Sequence, residues 1–157
     1  MEFTQDNKIV QLCAKGMELE GQGQLTDASN LFDEAWDIAT TDFEKFMAAH
    51  YVARYQKSIS DKLKWDETAL QHALHTDDES VKGTLPSLYL NIGKCYEDLN
   101  DFDNAKNNYQ AAFTFTSFLP DDGYGNMIKA GITNGLDRVH RDLPIGASKA
   151  LIGMVPF

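Results

Sequence analysis

Residues 12–36 and 89–113 of this chain carry one pattern twice, 77 positions apart. Gly16, Glu20, Ala28, Asn30 and Ala35 return as Gly93, Glu97, Ala105, Asn107 and Ala112. Around them large apolar residues return in kind: Leu12 with Tyr89, Leu19 with Tyr96, Leu25 with Phe102, Phe32 with Tyr109 and Trp36 with Phe113. Within each copy the apolar positions fall three and four apart, the spacing of one helix face. The glycine and the alanines stand where two helices approach closely, because a larger side chain would push the axes beyond about 8 to 10 Å. A helix pair that recurs at a fixed interval predicts a stacked array, in which each unit covers the apolar face of its neighbour.

The remainder of the chain reads as helix as well. The four prolines are Pro86, Pro120, Pro144 and Pro156, so no obligatory helix breaker occurs before Pro86. Turn residues then mark the limits: Gly21 to Gln24, Thr40 to Asp42, Ser58 to Asp61, and a polar, acidic loop from His75 to Gly83. Pro86 suits a first helical turn, which has no intrahelical donor to lose, and Asp101 suits an N-cap. Phe43 to Gln56 and Lys62 to His75 form a second, less regular pair, and Pro120 to Gly123 opens a last helix at about 124–139. The expectation is all-α: three antiparallel helix pairs over about 5–40, 41–84 and 85–120, a cap helix, and an apolar tail over 141–157. No segment shows period-2 alternation bounded by turns.

In the third pair Tyr89, Ile92, Gly93, Tyr96, Ala105, Tyr109, Ala112 and the helix-ending Pro120 stand at the spacing of a known repeat. The pattern resembles the tetratricopeptide repeat, a helix-turn-helix unit of about 34 residues that stacks into a superhelix. The first pair matches through Leu12, Gly16, Leu19, Ala28, Phe32 and Ala35, with Lys15 where an apolar residue is usual. The resemblance implies a non-enzymatic protein-binding scaffold, with partner segments held on the inner face formed by the first helix of each unit. On those helices the implied groove residues are Cys13, Met17 and Glu20, then Lys45, Ala49 and Val52, then Leu90, Lys94 and Glu97. Ile128, Ile132 and Gly135 take the corresponding places on the cap helix. The family's carboxylate clamp sets lysines and asparagines on this face; Cys13, Met17, Ala49 and Leu90 replace such groups, so an apolar helix or extended segment suits the lining better.

Composition excludes several other classes. The 157 residues fit one domain, and 14 Lys plus Arg against 24 Asp plus Glu leave a net charge of -10, which repels a phosphate backbone. Nucleic acid is therefore not an expected partner. No apolar run approaches the ~18 residues of a membrane span, and Met1 to Asp6 has neither the basic start nor the apolar stretch of a secretory signal, so a cytoplasmic location is expected. Cys13 and Cys95 read as two reduced, partly buried thiols, with one disulfide the alternative.

Catalytic chemistry finds little support in the sequence. His72 and His75 lie three apart and precede Asp77, Asp78 and Glu79, a spacing that would allow metal ligation; a solvated acidic loop explains them more simply. The Gly-Gln-Gly and Gly-Tyr-Gly triplets lack the strand and lysine of a phosphate loop. Cys13 has only Lys15 near it to favour a thiolate. No catalytic residue, metal or cofactor is expected. The tail, with Leu143, Ile145, Leu151, Ile152, Met154, Val155 and Phe157, is too apolar for a solvated end, and it raises homodimerisation as the alternative to partner binding.

Overall fold

The computed structural model of the protein describes residues 4–141. The apolar tail lies outside the described residues, apart from Arg141. Seven α-helices follow one another: α1 (Lys8–Gly21), α2 (Leu25–Ile38), α3 (Asp42–Ala53), α4 (Ile59–Leu74), α5 (Leu85–Asp98), α6 (Phe102–Thr114) and α7 (Gly123–His140). Short 3-10 turns occupy Glu79–Gly83 and Thr116–Phe118, and no strand occurs among the described residues. The fold is all-α, a stack of helix hairpins.

Local sequence explains most helix ends. Asn7 accepts from the backbone N–H groups of Ile9 and Val10, Asp101 from Asn104 and Asp122 from Gly125. Thr41 and Glu44 form a reciprocal capping box at the start of α3. Pro86 sits in the first turn of α5. Ser58 to Asp61, expected as a turn, instead opens α4: the Ser58 hydroxyl accepts from the Asp61 N–H, so the helix begins three residues before Lys62. The acidic loop after His75 is also more ordered than expected. Asp78 caps a 3-10 turn at Ser80, and that turn buries Val81.

The repeat is reproduced down to its turns. Gly23 and Asn100, 77 residues apart, both adopt positive φ, at 78° and 63°. This left-handed residue lets the N–H of the next residue reach back, Gln24 to Leu19 O and Asp101 to Tyr96 O, each at 2.9 Å. The helix crossings match too. A methyl group placed on Gly16 would lie 2.3 Å from Phe32 Cε1, and one on Gly93 would lie 2.8 Å from the Tyr109 ring. Each glycine is thus the seat of the large residue on the second helix of its own pair.

Successive units stack through the same aromatics. Tyr51 of α3 stacks on Phe32 with ring centroids 4.9 Å apart, and Gly135 of α7 lies against the Tyr109 ring that also meets Gly93. Helix α7 packs on α5 and α6 as α3 packs on α1 and α2. Register follows from these contacts: residue n of α3 corresponds to residue n + 84 of α7. Phe43, Phe46, His50 and Ala53 are buried in α3, whereas their counterparts Met127, Ala130, Asn134 and Asp137 are exposed. With two polar residues on that face, α7 presents a solvated outer side among the described residues.

Candidate functional site

The residues expected to line a groove lie on the first helices of the units, α1, α3, α5 and α7, and divide into three groups. Ala49, Val52 and Leu90 are buried, as are Ile128, Ile132 and Gly135 of the cap helix. They depart from the expected groove for a common reason: the face beside the core stripe of each first helix meets the neighbouring unit, and stacking covers it. On α3 every residue from Phe46 to Ala53 is buried.

The charged members are engaged within the chain. Glu20 accepts from Arg54 Nη2 at 2.7 Å and from the Tyr55 hydroxyl at 2.8 Å. Its repeat partner Glu97 accepts from Arg138 Nε and Nη2 at 2.6 and 2.9 Å and from the Tyr109 hydroxyl at 2.5 Å. Each of these two glutamates, 77 residues apart, therefore ties the end of one first helix to an arginine at the end of the next. Lys45 donates to Trp36 O at 3.1 Å with its ammonium 4.2 Å from the Trp36 ring centroid, and Lys94 pairs with Asp98. Glu20, Glu97, Lys45 and Lys94 thus each hold a partner within the chain.

Cys13 and Met17 remain. With Val10, Ala14, Met47, Tyr51 and Thr84 they line a largely apolar cleft of about 370 Å3 between α1 and α3. The Tyr51 hydroxyl donates to Met17 Sδ at 3.0 Å and turns the ring edge into the cleft wall. The repeat comparison explains why the opening exists here. At the corresponding α5–α7 crossing, Leu90 replaces Cys13 and Gly131 replaces Met47, and a methyl group on Gly131 would lie 3.0 Å from Leu90 Cδ2. At α1–α3 the places of Gly131 and Gly135 are taken by Met47 and by Tyr51, whose ring stacks on Phe32. Val10, Ala14, Met47, Tyr51 and Thr84 were not anticipated, although Val10, Ala14 and Met17 form a second apolar stripe along α1 that is legible in the sequence.

The chemistry of the cleft is that of a binding surface. Burial pushes the Cys13 thiol up to about 12, far from a reactive thiolate. Cys95 is likewise free and buried, pushed up to about 12 by burial first, and its S–H points to Asp66 Oδ2 at 3.6 Å. His72 Nδ1 lies 2.6 Å from Asp42 Oδ1 on α3, away from the acids that follow His75. Among the described residues no group of three or more His, Cys, Asp and Glu is placed to hold a metal ion, and no helix is long and apolar enough to cross a membrane.

The Glu97 tie has a pH signature. Burial pushes its carboxyl up, but the hydrogen bonds from Arg138 and Tyr109 outweigh that and hold it below the usual glutamate range. A carboxyl depressed on folding contributes stability that is complete above its unfolded pKa of about 4.3 and is lost as pH falls through the lower folded value. The melting temperature of the protein is expected to fall as pH drops below about 4, with a shallower fall in Glu97→Gln. Equal pH slopes in thermal melts of the two proteins would refute the assignment.

No match was found for the chain among curated proteins or among solved structures. Residues 86–116, which run from the first turn of α5 through the turn at Asn100 to the end of α6, match the model of the tetratricopeptide repeat. The glycine seat and the left-handed turn of the matched unit both recur at α1–α2, so the segment that resembles this repeat has a second structural copy in the chain.

Proposed function

We propose that the protein is a non-enzymatic interaction module that takes an apolar segment of a partner protein, as a helix or an extended strand, in the α1–α3 cleft. Tetratricopeptide repeats generally mediate protein–protein interactions and are typically non-catalytic, which supports this reading. One observation carries the finer reading. The charged residues singled out on the first helices are all engaged within the chain, while the half-buried Met17 and the exposed Ala14 lie at an apolar cleft floored by the buried Cys13, Met47 and Tyr51. Its volume of about 370 Å3 lies at the lower end of the ~300–1,000 Å3 typical of ligand pockets, room for a few side chains of a peptide. Methionine suits such a wall, since its flexible thioether adapts to different apolar shapes.

Selection of peptides from a random displayed library is expected to yield apolar sequences with few charges. Met17→Asp is expected to weaken the selected peptides by at least about tenfold, the cost of opposing a desolvated carboxylate to apolar side chains, about 1.4 kcal/mol or more. Titration of a labelled peptide against both proteins measures this. Selected peptides that are acidic, or that bind the Met17→Asp protein equally well, would place the binding surface elsewhere.

A further inference from the structure

Phe113, Phe115 and Phe118 fall within six residues at the end of the third unit, and none of them is buried. We propose that the surface around Phe115 and Phe118 is a second docking site, which takes a basic segment of a partner protein: one large apolar side chain flanked by lysine or arginine. It is separate from the α1–α3 cleft and does not depend on it.

The surface is built by the two connections that depart from the repeat. Three residues, 39–41, join α2 to α3, whereas ten residues, 75–84, follow α4 and eight, 115–122, follow α6. These longer connections carry the two 3-10 turns, which pack on each other: a methyl group on Gly83 would lie 3.3 Å from Phe118 O. Where they meet the end of α4 lies a mostly apolar pocket of about 220 Å3, lined by Leu74, Val81, Leu85 and Phe115, with Asp78 and Lys82 among its polar members. Phe118 adjoins it, its ring centroid 6.4 Å from that of Phe115. Leu74 is 54% and Phe118 45% exposed, so two large apolar side chains stand half in water beside an apolar pocket, a surface suited to contact. The pocket is smaller than the ~300–1,000 Å3 of small-molecule sites. It suits a single anchoring side chain.

Charge selects what flanks that anchor. Segments 75–85 and 113–122, which frame the pocket, hold Asp77, Asp78, Glu79, Asp121 and Asp122 against one lysine, Lys82. Helices α4 and α6 both end here, at Leu74 and Thr114, and their C-terminal dipole ends favour cations as well. Lys82 shows how a cation is held. Its ammonium lies 2.5 Å from Glu79 Oε1 and 5.6 Å from the centroid of the Phe118 ring, paired with an acid and facing an aromatic at once. The whole chain carries a net charge of -10, which attracts a basic segment and repels a second copy, an acidic partner or an anionic membrane.

The test uses the full chain carrying Met17→Asp, which sets aside peptides of the α1–α3 cleft. Selection of short peptides from a random displayed library on this protein is expected to enrich sequences that join a large apolar residue to several Lys or Arg. Leu74→Ser with Phe118→Ser is expected to weaken the selected peptides at least about tenfold, and Asp77→Lys with Glu79→Lys by a similar factor. All four side chains are exposed, so the melts of both variants are expected to match that of the parent. Acidic or uncharged sequences, binding that ignores either pair of substitutions, or no enriched sequence at all overturns the proposal. So does a mass that rises with concentration and returns to the monomer with Leu74→Ser and Phe118→Ser, which would assign the surface to a second copy. Each of these results leaves the reading of the α1–α3 cleft untouched, because the protein used lacks Met17.

Discussion

Replacing Gly93 with leucine is expected to destabilise the protein by about 3 kcal/mol or more, at the upper end of overpacking costs. The first atom of the new side chain, at 2.8 Å from the Tyr109 ring and 3.3 Å from the Ala105 carbonyl oxygen, already falls inside contact distance. Tyr109 has little room to retreat, because Gly135 of α7 also abuts its ring, where a methyl group would be 2.6 Å from Cζ. Its hydroxyl is held as well, by Glu97 at 2.5 Å. The strain therefore passes into α6 and α7 together and lowers the melting temperature by roughly 10 °C in a domain of this size. Gly21→Leu is the matched control: a Cβ there meets nothing within 4 Å, so the helix gains propensity without a clash. Thermal melts of both variants decide the matter. Equal loss of stability would mean that glycine serves α5 through its backbone and not through the space it leaves.

The second large effect is expected at the tie between the first two units. Arg54 and Glu20 have side chains only 7% and 13% exposed, and Arg54 also lies over the Tyr51 ring, 5.6 Å from its centroid. Arg54→Ala leaves Glu20 enclosed without a cation and is expected to cost about 3 kcal/mol. Glu20→Leu with Arg54→Met removes both charges and keeps the volume, so it is expected to recover most of that loss. Denaturant melts of the single and double variants separate the two terms. A double variant as unstable as Arg54→Ala would show that packing of the arginine on Tyr51, and not the ion pair, holds α3 to α1.

Both effects arise from positions that the 77-residue repeat makes visible, yet the sequence reveals them unequally. Gly16 and Gly93 announce their role, because a small residue at a fixed place among large ones has one physical use, a close approach. Glu20 and Glu97 recur just as faithfully and were read as groove residues. Their partners, Arg54 and Arg138, lie 34 and 41 residues further on, on helices whose separation along the chain is not constant, so no fixed spacing links acid to base. The irregular second unit hid the match.

The sequence by itself determined what is local or periodic. Helix caps at Asp101 and Asp122, the first-turn proline, the turns at Gly23 and Asn100, and the two glycine seats follow from backbone stereochemistry and from spacing along one helix face. Tertiary structure alone decided which side of each first helix is left open. Stacking fixes that, through side chains far apart in the chain: Tyr51 stacks on Phe32 where α3 packs, whereas Gly131 meets Leu90 and Gly135 meets Tyr109 where α7 packs. A helical wheel gives Cys13 and Leu90 the same place, yet Cys13 shares a cleft wall with Met47 while Leu90 lies against Gly131, because residues distant in sequence set what each side chain meets.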